Sequence, residues 1–165
     1  MTEDLTDRLI GGWAAARPEF EIHHLQVTAR LSRIGPLLAR RQEEVFSQFG
    51  LSRGEVGMLS ALRIAGQPHR LSPSRLGRGL MMSSAGVTSR TDRLERRGLV
   101  RRLPDPHDRR GVIVELTEDG LEAVDAAVRA VTLSDQQLLA RFDATELASM
   151  EALLRKLLAG LELPE

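Results

Sequence analysis

The chain has 165 residues, of which 42% are hydrophobic and 28% are charged, with 23 basic and 23 acidic side chains. This composition is typical of one globular domain and excludes a collagen-like or disordered chain. The absence of cysteine excludes disulfides, thiolate metal ligands, cysteine nucleophiles and thiol redox sensing. Aromatic residues make up only 3%, too few for the stacking platforms that bind single-stranded nucleic acid.

The charges are unevenly distributed along the chain. Residues 1–69 sum to zero, residues 70–110 carry 11 arginines against four acidic residues and so +7, and residues 111–165 carry −7. The basic middle third is expected for phosphate binding, because arginines placed on phosphates release condensed counterions. The alternative is a solvated arginine-rich surface. The acidic amino terminus and the lack of an apolar run of roughly 18 residues predict a cytoplasmic protein without a membrane partner.

Residues 1–50 are predicted to form two amphipathic helices. Apolar residues recur at four-residue spacing over residues 5–13 and Pro18 follows, which predicts a short helix ending near Arg17. Apolar positions keep helical or heptad spacing over residues 20–49, although Gly35-Pro36 lies in the middle. We therefore expect a kinked or broken long helix there.

Two shorter helices are predicted next. A capping box of Ser52 with Glu55 indicates a helix that begins at Arg53, and Gly66 is its expected stop. Ser72-Pro73 combines an N-cap hydroxyl with proline at the first helical position, which predicts a second helix of about two turns.

A third helix follows a turn at residues 81–83. Either Ser83 or Ser84 caps it, and Gly98 is its expected stop. Its predicted buried stripe consists of Val87, Thr91 and Leu94. Two short helices joined by a tight turn are typical of a helix-turn-helix.

The rest of the chain reads as a hairpin followed by two helices. Strand-like runs at residues 99–103 and 112–116 flank a connection with a basic tip at Arg109 and Arg110. Thr117 opens a helix with an apolar stripe at Leu121, Val124, Val128 and Val131. A capping box at residues 143–146 opens the last helix, whose heptad-spaced residues are predicted to dimerise: Leu147, Met150, Leu154, Leu157 and Leu161.

These elements predict a mostly α fold with a small β-hairpin wing, a winged helix-turn-helix on a helical dimerisation platform. We expect dimerisation helices in residues 1–50, with a possible ligand pocket, a DNA-binding lobe in residues 51–116, and C-terminal dimerisation helices in residues 117–165. Residues 83–120 resemble the MarR family of transcriptional regulators. The shared features are the recognition helix, Gly-Leu-Val at 98–100, Asp-x-Arg at Asp108 and Arg110, and Leu-Thr-x-x-Gly at 116–120.

The MarR resemblance runs from about Leu25 to the C-terminal leucines. The resemblance implies a homodimer that acts as a repressor, the commoner mode of regulation in this family. The two recognition helices of such a dimer, about 34 Å apart, would bind a pseudo-palindromic operator. The candidate DNA contacts lie on the exposed side of the recognition helix, at the preceding cap and on the wing. They are Ser72, Ser84, Ala85, Thr88, Ser89, Asp92, Arg93, Arg96, Arg109 and Arg110.

Some of these candidates have alternative roles. Capping is the alternative for Ser84, and Arg90 and Arg93 could face the ligand pocket or the core edge. One of Arg109 and Arg110 is expected to enter the minor groove, while by resemblance the other pairs with Asp108. The sequence leaves open which arginine does which.

A small aromatic, anionic or phenolic effector is expected between the lobe and the platform. The extra N-terminal helix, its Trp13 and an arginine at Arg90 resemble the urate-responsive branch of the family. Gly57 stands where that branch has an acidic residue, so coupling through a displaced carboxylate is in doubt. A pocket with Arg90 and no partner acid should prefer a ligand with its own negative charge. Alternatively, Trp13 is a packing residue.

Catalytic and cofactor signals are weak. Gly77-Arg78-Gly79 lacks the third glycine and preceding strand of a dinucleotide loop, and the sequence has no nucleophile elbow. His23 and His24 are adjacent and cannot bind one metal as an i, i+4 pair. We expect no enzyme activity, cofactor or metal. Two other functions remain open: a nonspecific architectural DNA-binding protein, or a winged helix used only for protein–protein contact, which would have an uncharged wing.

Overall fold

The computed structural model describes residues 3–106, 108 and 111–162. Within them, seven helices and three strands confirm the predicted mostly α fold with a small β wing. In chain order they are α1 (Leu5–Ala16), α2 (Leu25–Ser47), α3 (Arg53–Ile64), β1 (Arg70–Leu71), α4 (Pro73–Gly79), α5 (Ser84–Arg96), β2 (Val100–Pro104), β3 (Val112–Leu116), α6 (Glu118–Leu139) and α7 (Ala144–Leu161).

Local capping chemistry sets the helix boundaries. Ser52 accepts a hydrogen bond from the Glu55 amide, and the Glu55 carboxylate accepts one from the Ser52 amide, so the predicted capping box begins α3 at Arg53. Asp143 begins α7 in the same way. Gly66, just beyond α3, has a φ of 76°, a left-handed conformation that favours glycine and ends a helix.

The second helix was predicted to be kinked or broken, and the structure shows that it is not broken. Helix α2 runs from Leu25 to Ser47 with Pro36 inside it. Proline removes one backbone hydrogen bond, which leaves the carbonyl of Ser32 without its helical donor. Both Pro36 and Ser32 lie on the exposed side of α2, where water can solvate that carbonyl. The packing of α2 against α1, α3 and α6 offsets the remaining cost.

The wing is part of a three-stranded antiparallel sheet in the order β1-β3-β2. Strands β2 and β3 pair from Val100 opposite Leu116 to Pro104 opposite Val112, as the hairpin prediction required. Strand β1 was not predicted, because two residues carry no periodic pattern. It places Arg70 opposite Glu115 and closes the open edge of β3.

The hydrophobic core lies mainly in residues 51–116, the part of the chain predicted to be the DNA-binding lobe. Its side chains come from α3, α4, α5, the sheet and the first half of α6, and Phe46 joins it from the end of α2. Met58, Leu76 and Leu94 are fully buried in this core. In the predicted stripe of α6, Val124 is buried but Val128 is 40% exposed, so that stripe is narrower than expected.

Candidate nucleic-acid interface

The surface is built on a helix-turn-helix formed by α4 and α5. Ser72 accepts a hydrogen bond from the Arg75 amide at 3.4 Å, and proline follows it at the first helical position of α4. Ser83 accepts from the Gly86 amide at 3.2 Å. Ser83 is therefore the N-cap of α5. Ser84 is the first helical residue, lies on the surface and is not used for capping.

Helix α5 has one buried face and one exposed face. Val87, Thr91 and Leu94 are at most 1% exposed, as predicted, and the Thr91 hydroxyl donates to the Val87 carbonyl at 2.8 Å. All the predicted DNA contacts of this helix are exposed, although Arg93 turns toward Glu55 at the edge of the face: Ser84, Ala85, Thr88, Ser89, Asp92, Arg93 and Arg96. Ser72, at the start of α4, is half-buried.

A groove between α4 and α5 extends this face. Ser84 and Thr88 line it from α5, while Ser74 and Arg78 line it from α4. Neither Ser74 nor Arg78 is among the DNA contacts predicted from the sequence. Arg78 could have been found from its position in the basic third of the chain, and Ser74 from its position two residues after the N-cap of α4.

Asp92 faces an arginine of the wing. Arg102 on β2 pairs with Asp92 at 2.5 Å and with Glu95 at 2.5 Å, and its amide donates to Glu95 at 3.0 Å. Burial lowers the pKa of Arg102, but the hydrogen bonds from its guanidinium to the two carboxylates outweigh it and the pKa is raised. These ion pairs join α5 to β2. The single positive charge of Arg102 partly neutralises the negative charges of Asp92 and Glu95.

Arg93 and Arg97 face the protein rather than the groove. The Nε of Arg93 lies 3.2 Å from an oxygen of Glu55, which is 6% exposed. Arg97 donates to the backbone carbonyls of Gly50 at 2.6 Å and Phe49 at 3.2 Å. Arg96 is exposed, and its Nε donates only to the Asp92 carbonyl at 3.3 Å among the hydrogen bonds of the described residues.

The residues around Glu55 stabilise its ionised form. Burial acts to raise the pKa of this carboxyl, but hydrogen bonds from the Ser52 amide and hydroxyl, with the nearby charges of Arg93 and Arg97, outweigh it. The pKa of Glu55 is therefore lowered. The side chain is ionised at neutral pH, which lets it pair with Arg93 while it caps α3.

The wing is held by a buried carboxylate between two arginines. Glu115 on β3 lies 3.0 Å from Arg70 on β1 and 3.0 Å from Arg101 on β2. The Arg101 hydrogen bond is the main cause that lowers the pKa of Glu115, and burial opposes it. At the far end, the Asp105 amide donates to the Gly111 carbonyl at 3.0 Å and closes the loop. The predicted tip residues Arg109 and Arg110 lie outside the described residues.

The base of the wing explains two of the sequence motifs. Thr117 caps α6 by accepting from the Gly120 amide at 3.0 Å, and its hydroxyl donates to the Gly98 carbonyl at 2.7 Å. A Cβ atom at Gly120 would lie 2.0 Å from the Leu99 carbonyl oxygen. The Gly-Leu-Val and Leu-Thr-x-x-Gly segments therefore pack against each other, and only glycine fits at residue 120.

The predicted ligand residues lie on three helices. Trp13 on α1 is 54% exposed. Gly57 lines a groove with Leu80, Arg70 and Arg75, and neither Trp13 nor Arg90 is among its lining residues. Arg90 is half-buried, and its guanidinium lies against the backbone of Gly54.

The predicted dimerisation residues form an exposed apolar face. The structure describes all of α7 and buries none of its residues. Leu147 and Met150 are half-buried, whereas Leu154, Leu157 and Leu161 are exposed, as are Leu153 and Leu158 beside them.

Two further observations concern other kinds of site. Among residues 3–106, 108 and 111–162, no cluster of three or more histidine and carboxylate side chains could hold a metal ion. No helix in that same part of the chain is both long and apolar enough to cross a bilayer.

The fold and the α4–α5 surface define a winged helix-turn-helix protein. The sequence profile of the MarR family matches residues 49–111. The transcriptional regulator PecS of Dickeya dadantii is 34% identical over 146 residues, which cover 88% of both chains. The multiple antibiotic resistance protein MarR of Salmonella typhimurium is 33% identical over 113 residues, 68% of this chain and 76% of that protein. This chain belongs to the MarR family.

Solved structures agree with this assignment. Wild-type apo MarR from Escherichia coli superposes with a TM-score of 0.70 at 28% identity, covering 80% of this chain and 96% of that one. A MarR family transcriptional regulator from Streptomyces coelicolor gives 0.71 at 29% identity, covering 86% and 98%. A mutant of E. coli MarR complexed with operator DNA gives 0.70 at 28% identity, covering 84% and 99%.

Proposed function

We propose that this MarR-family chain is a transcriptional regulator that binds double-stranded DNA sequence-specifically and acts as a repressor. The exposed face of α5 carries the proposal, because it places small hydroxyl side chains on a helix whose opposite face is fixed in the core. Such side chains let a helix approach base edges in the major groove. The relative crystallised with operator DNA supports this use of the fold.

The contacts divide by chemistry. Ser84, Ala85, Thr88 and Ser89 are proposed to meet base edges or nearby phosphates. Arg78 and Arg96, which are exposed, are proposed to meet phosphates, together with Ser72 and Ser74 at the start of α4. Arg109 and Arg110 remain proposed wing contacts. Asp92 already pairs with Arg102, which supports a role for it in orienting α5 rather than in touching DNA.

A duplex-binding titration tests the proposal. Fluorescence anisotropy would compare DNA flanking the protein's own gene with a scrambled duplex of the same length and composition. We expect a preference of at least about 1,000-fold for the flanking DNA. Thr88→Ala and Ser89→Ala should change which sites are preferred, whereas Ser47→Ala, exposed on α2, should not. Equal affinity for both duplexes would instead identify a nonspecific architectural protein, and no binding to either would favour a protein–protein module.

The apolar face of α7 supports a homodimer. Leu153, Leu154, Leu157, Leu158 and Leu161 would otherwise expose a continuous apolar stripe to water. The outer stripe of α1 is exposed in the same way and is proposed to join the interface. A two-fold axis through these helices would present two copies of α5 to successive turns of one DNA face.

Sedimentation measures the proposed dimer directly. The wild-type chain should sediment as a dimer at micromolar concentration, and Leu154→Glu with Leu157→Glu should convert it to a monomer. Ala152→Glu lies on the opposite side of α7 and should leave the dimer intact. A monomeric wild type would contradict the proposal.

A small anionic or phenolic effector is proposed to release the DNA. The half-buried guanidinium of Arg90 supports this proposal, whereas the groove at Gly57 is lined by neither Arg90 nor Trp13. Titration with urate and salicylate while following the fluorescence of the single tryptophan tests this. We expect quenching and weaker DNA binding that Arg90→Ala abolishes. No response at millimolar concentration would remove the effector from the proposal.

A further inference from the structure

Three arginines of α5 face the junction between α2 and α3, here called the α2–α3 corner, residues 49–55. Arg90, Arg93 and Arg97 are spaced by three and four residues, so they share one side of the helix. Their guanidinium groups reach Gly54, Glu55 and the Phe49–Gly50 carbonyls respectively. The corner connects platform helix α2 to the lobe, so these contacts lie between the platform and the recognition helix.

The Arg97 contact uses the carboxyl end of α2. The carbonyls of Phe49 and Gly50 follow this end, where the backbone carries partial negative charge and favours a cation. Gly50 has a φ of 64°, which turns its carbonyl out of the helix direction. Arg97 donates to both carbonyls through its two terminal nitrogens, a forked contact that fixes the direction of the guanidinium plane.

The Arg93 contact uses a carboxylate that already has a structural role. The Glu55 carboxylate accepts hydrogen bonds from the amide and the hydroxyl of Ser52, both at 2.8 Å. These two bonds hold the carboxylate in place independently of Arg93. The Arg93 Nε lies 3.2 Å from the other carboxylate oxygen. One buried carboxylate therefore starts α3 and holds α5.

Gly54 allows the approach of the third arginine. A Cβ atom at residue 54 would lie 2.6 Å from the Arg90 Nε, so a side chain there would displace the Arg90 guanidinium. The Arg90 chain is also held on its own helix, because its Nη1 donates to the Gly86 carbonyl at 3.3 Å. All three arginines therefore reach the α2–α3 corner from the same side of α5.

We propose that Arg93 and Arg97 are positioning residues for DNA recognition: they fix the rotation of α5 on the α2–α3 corner and do not themselves neutralise phosphates. The inference rests on the proposed DNA binding. It reassigns Arg93, which the sequence placed among the DNA contacts. Rotation of α5 decides which of its side chains face the duplex, so loss of these contacts should reduce discrimination between sites more than general attraction to DNA.

The salt dependence of binding separates positioning from phosphate contact. Kd would be measured for the own-gene duplex and its scrambled control across a range of salt concentrations, for the full chain and its variants. Arg97→Gln and Arg93→Gln should weaken binding to the own-gene duplex about 5- to 10-fold. Their affinity for the scrambled duplex and their salt slope should stay unchanged. Arg78→Gln, the phosphate comparison, should weaken both duplexes and reduce the slope by about 1.

Two further variants test the stated contacts. Because Arg93 acts through Glu55, Glu55→Gln combined with Arg93→Gln should cost no more than the larger single effect. Arg97→Lys, which keeps one donor near the same carbonyls, should restore part of the discrimination. Arg63→Gln removes the 3.0 Å ion pair with Asp125 between α3 and α6, away from the α2–α3 corner, and should leave discrimination unchanged.

A salt slope reduced by about 1 in Arg93→Gln or Arg97→Gln would overturn the inference, because it would show phosphate contact. Additive effects of Glu55→Gln and Arg93→Gln on DNA affinity would overturn the role of their pairing. Thermal unfolding of each variant shows whether a loss of binding reflects loss of the fold. A wild-type chain without preference for its own-gene duplex would instead refute the proposed function, and that result is visible before any variant is compared.

Discussion

Replacement of Glu115 by glutamine tests how the wing is attached to the lobe. Glutamine keeps the shape of the side chain and removes its charge. Glu115 is 7% exposed and faces Arg70 and Arg101 across the sheet, with both residues opposite it in the strand register. The substitution therefore weakens the β1–β3 and β3–β2 contacts at once.

The expected magnitude follows from the geometry. A hydrogen bond that involves a charged group contributes about 1.5–3 kcal/mol to stability. The side chains of Arg70 and Arg101 are 41% and 60% exposed, so water screens both pairs and part of each contribution is lost. The glutamine side chain also keeps one oxygen that can accept a hydrogen bond from an arginine. We expect Glu115→Gln to reduce the free energy of unfolding by about 1–2 kcal/mol at pH 7.

The pH dependence gives a second, independent test. The pKa of Glu115 is lowered in the fold, first by the Arg101 hydrogen bond, so the ionised form stabilises the folded chain. This contribution is complete above the ordinary glutamate pKa of about 4.3 and is lost as the pH falls through the lower folded value. The difference between wild type and Glu115→Gln should therefore be constant from pH 8 to about 5 and shrink below about pH 4.

Urea unfolding followed by circular dichroism, at one protein concentration, measures this difference. Glu21→Gln, an exposed carboxylate between α1 and α2, is the matched control and should leave stability unchanged at each pH. A stability difference that is absent at pH 7, or that stays constant into acid, would refute the reasoning.

Four other substitutions test packing and helix formation by thermal unfolding. Gly120→Ala should destabilise the chain by about 1–3 kcal/mol, because the added Cβ meets the Leu99 carbonyl. Gly11→Ala, with open space around it in α1, should instead stabilise by about 0.5–1 kcal/mol, and equal effects of the two would contradict this. Ser52→Ala should cost about 1 kcal/mol through the lost cap of α3. Met58→Ala should cost about 2–5 kcal/mol, since Met58 is fully buried, and a change below 1 kcal/mol would oppose it.

Helix boundaries were predictable because their causes are local. Ser52 and Glu55 interact three residues apart, as do Asp143 and Glu146, so the letters themselves carry the geometry. The buried stripe of α5 was predictable for the same reason, since residues three and four apart share a helix face. The exposed candidate DNA face then follows as the complement of that stripe.

The contacts between distant residues were not predictable in this way. Arg93 pairs with a carboxylate 38 positions earlier, and Arg70 reaches Glu115 through a strand of two residues. Neither pairing has a periodic signal. The sequence also left open whether α2 continues through Pro36, because this depends on which side of the helix meets solvent. Sequence patterns describe a helix's own faces, but they do not say what a distant element places against them.

The distribution of arginines shows why this matters for function. Counted by segment, the basic third carries 11 arginines, a pattern that predicts one surface for phosphates. In the structure, Arg70, Arg93 and Arg101 are paired with Glu55 or Glu115, which lie outside that segment, and Arg102 is paired within it. The segment charge therefore overstates the charge available to DNA.

Three arginines of the helix-turn-helix have no ion pair among the described residues and point to solvent, which makes them the candidates for phosphate contact. Arg75 and Arg78 on α4 and Arg96 on α5 are exposed, and they lie on the two helices of the helix-turn-helix. The paired arginines instead hold α5 and the wing in fixed positions. The same residue type would thus supply attraction where its guanidinium faces solvent, and geometry where it binds a carboxylate or, as in Arg97, backbone carbonyls. Specificity needs the second role as much as the first, because attraction to phosphates is the same at every site.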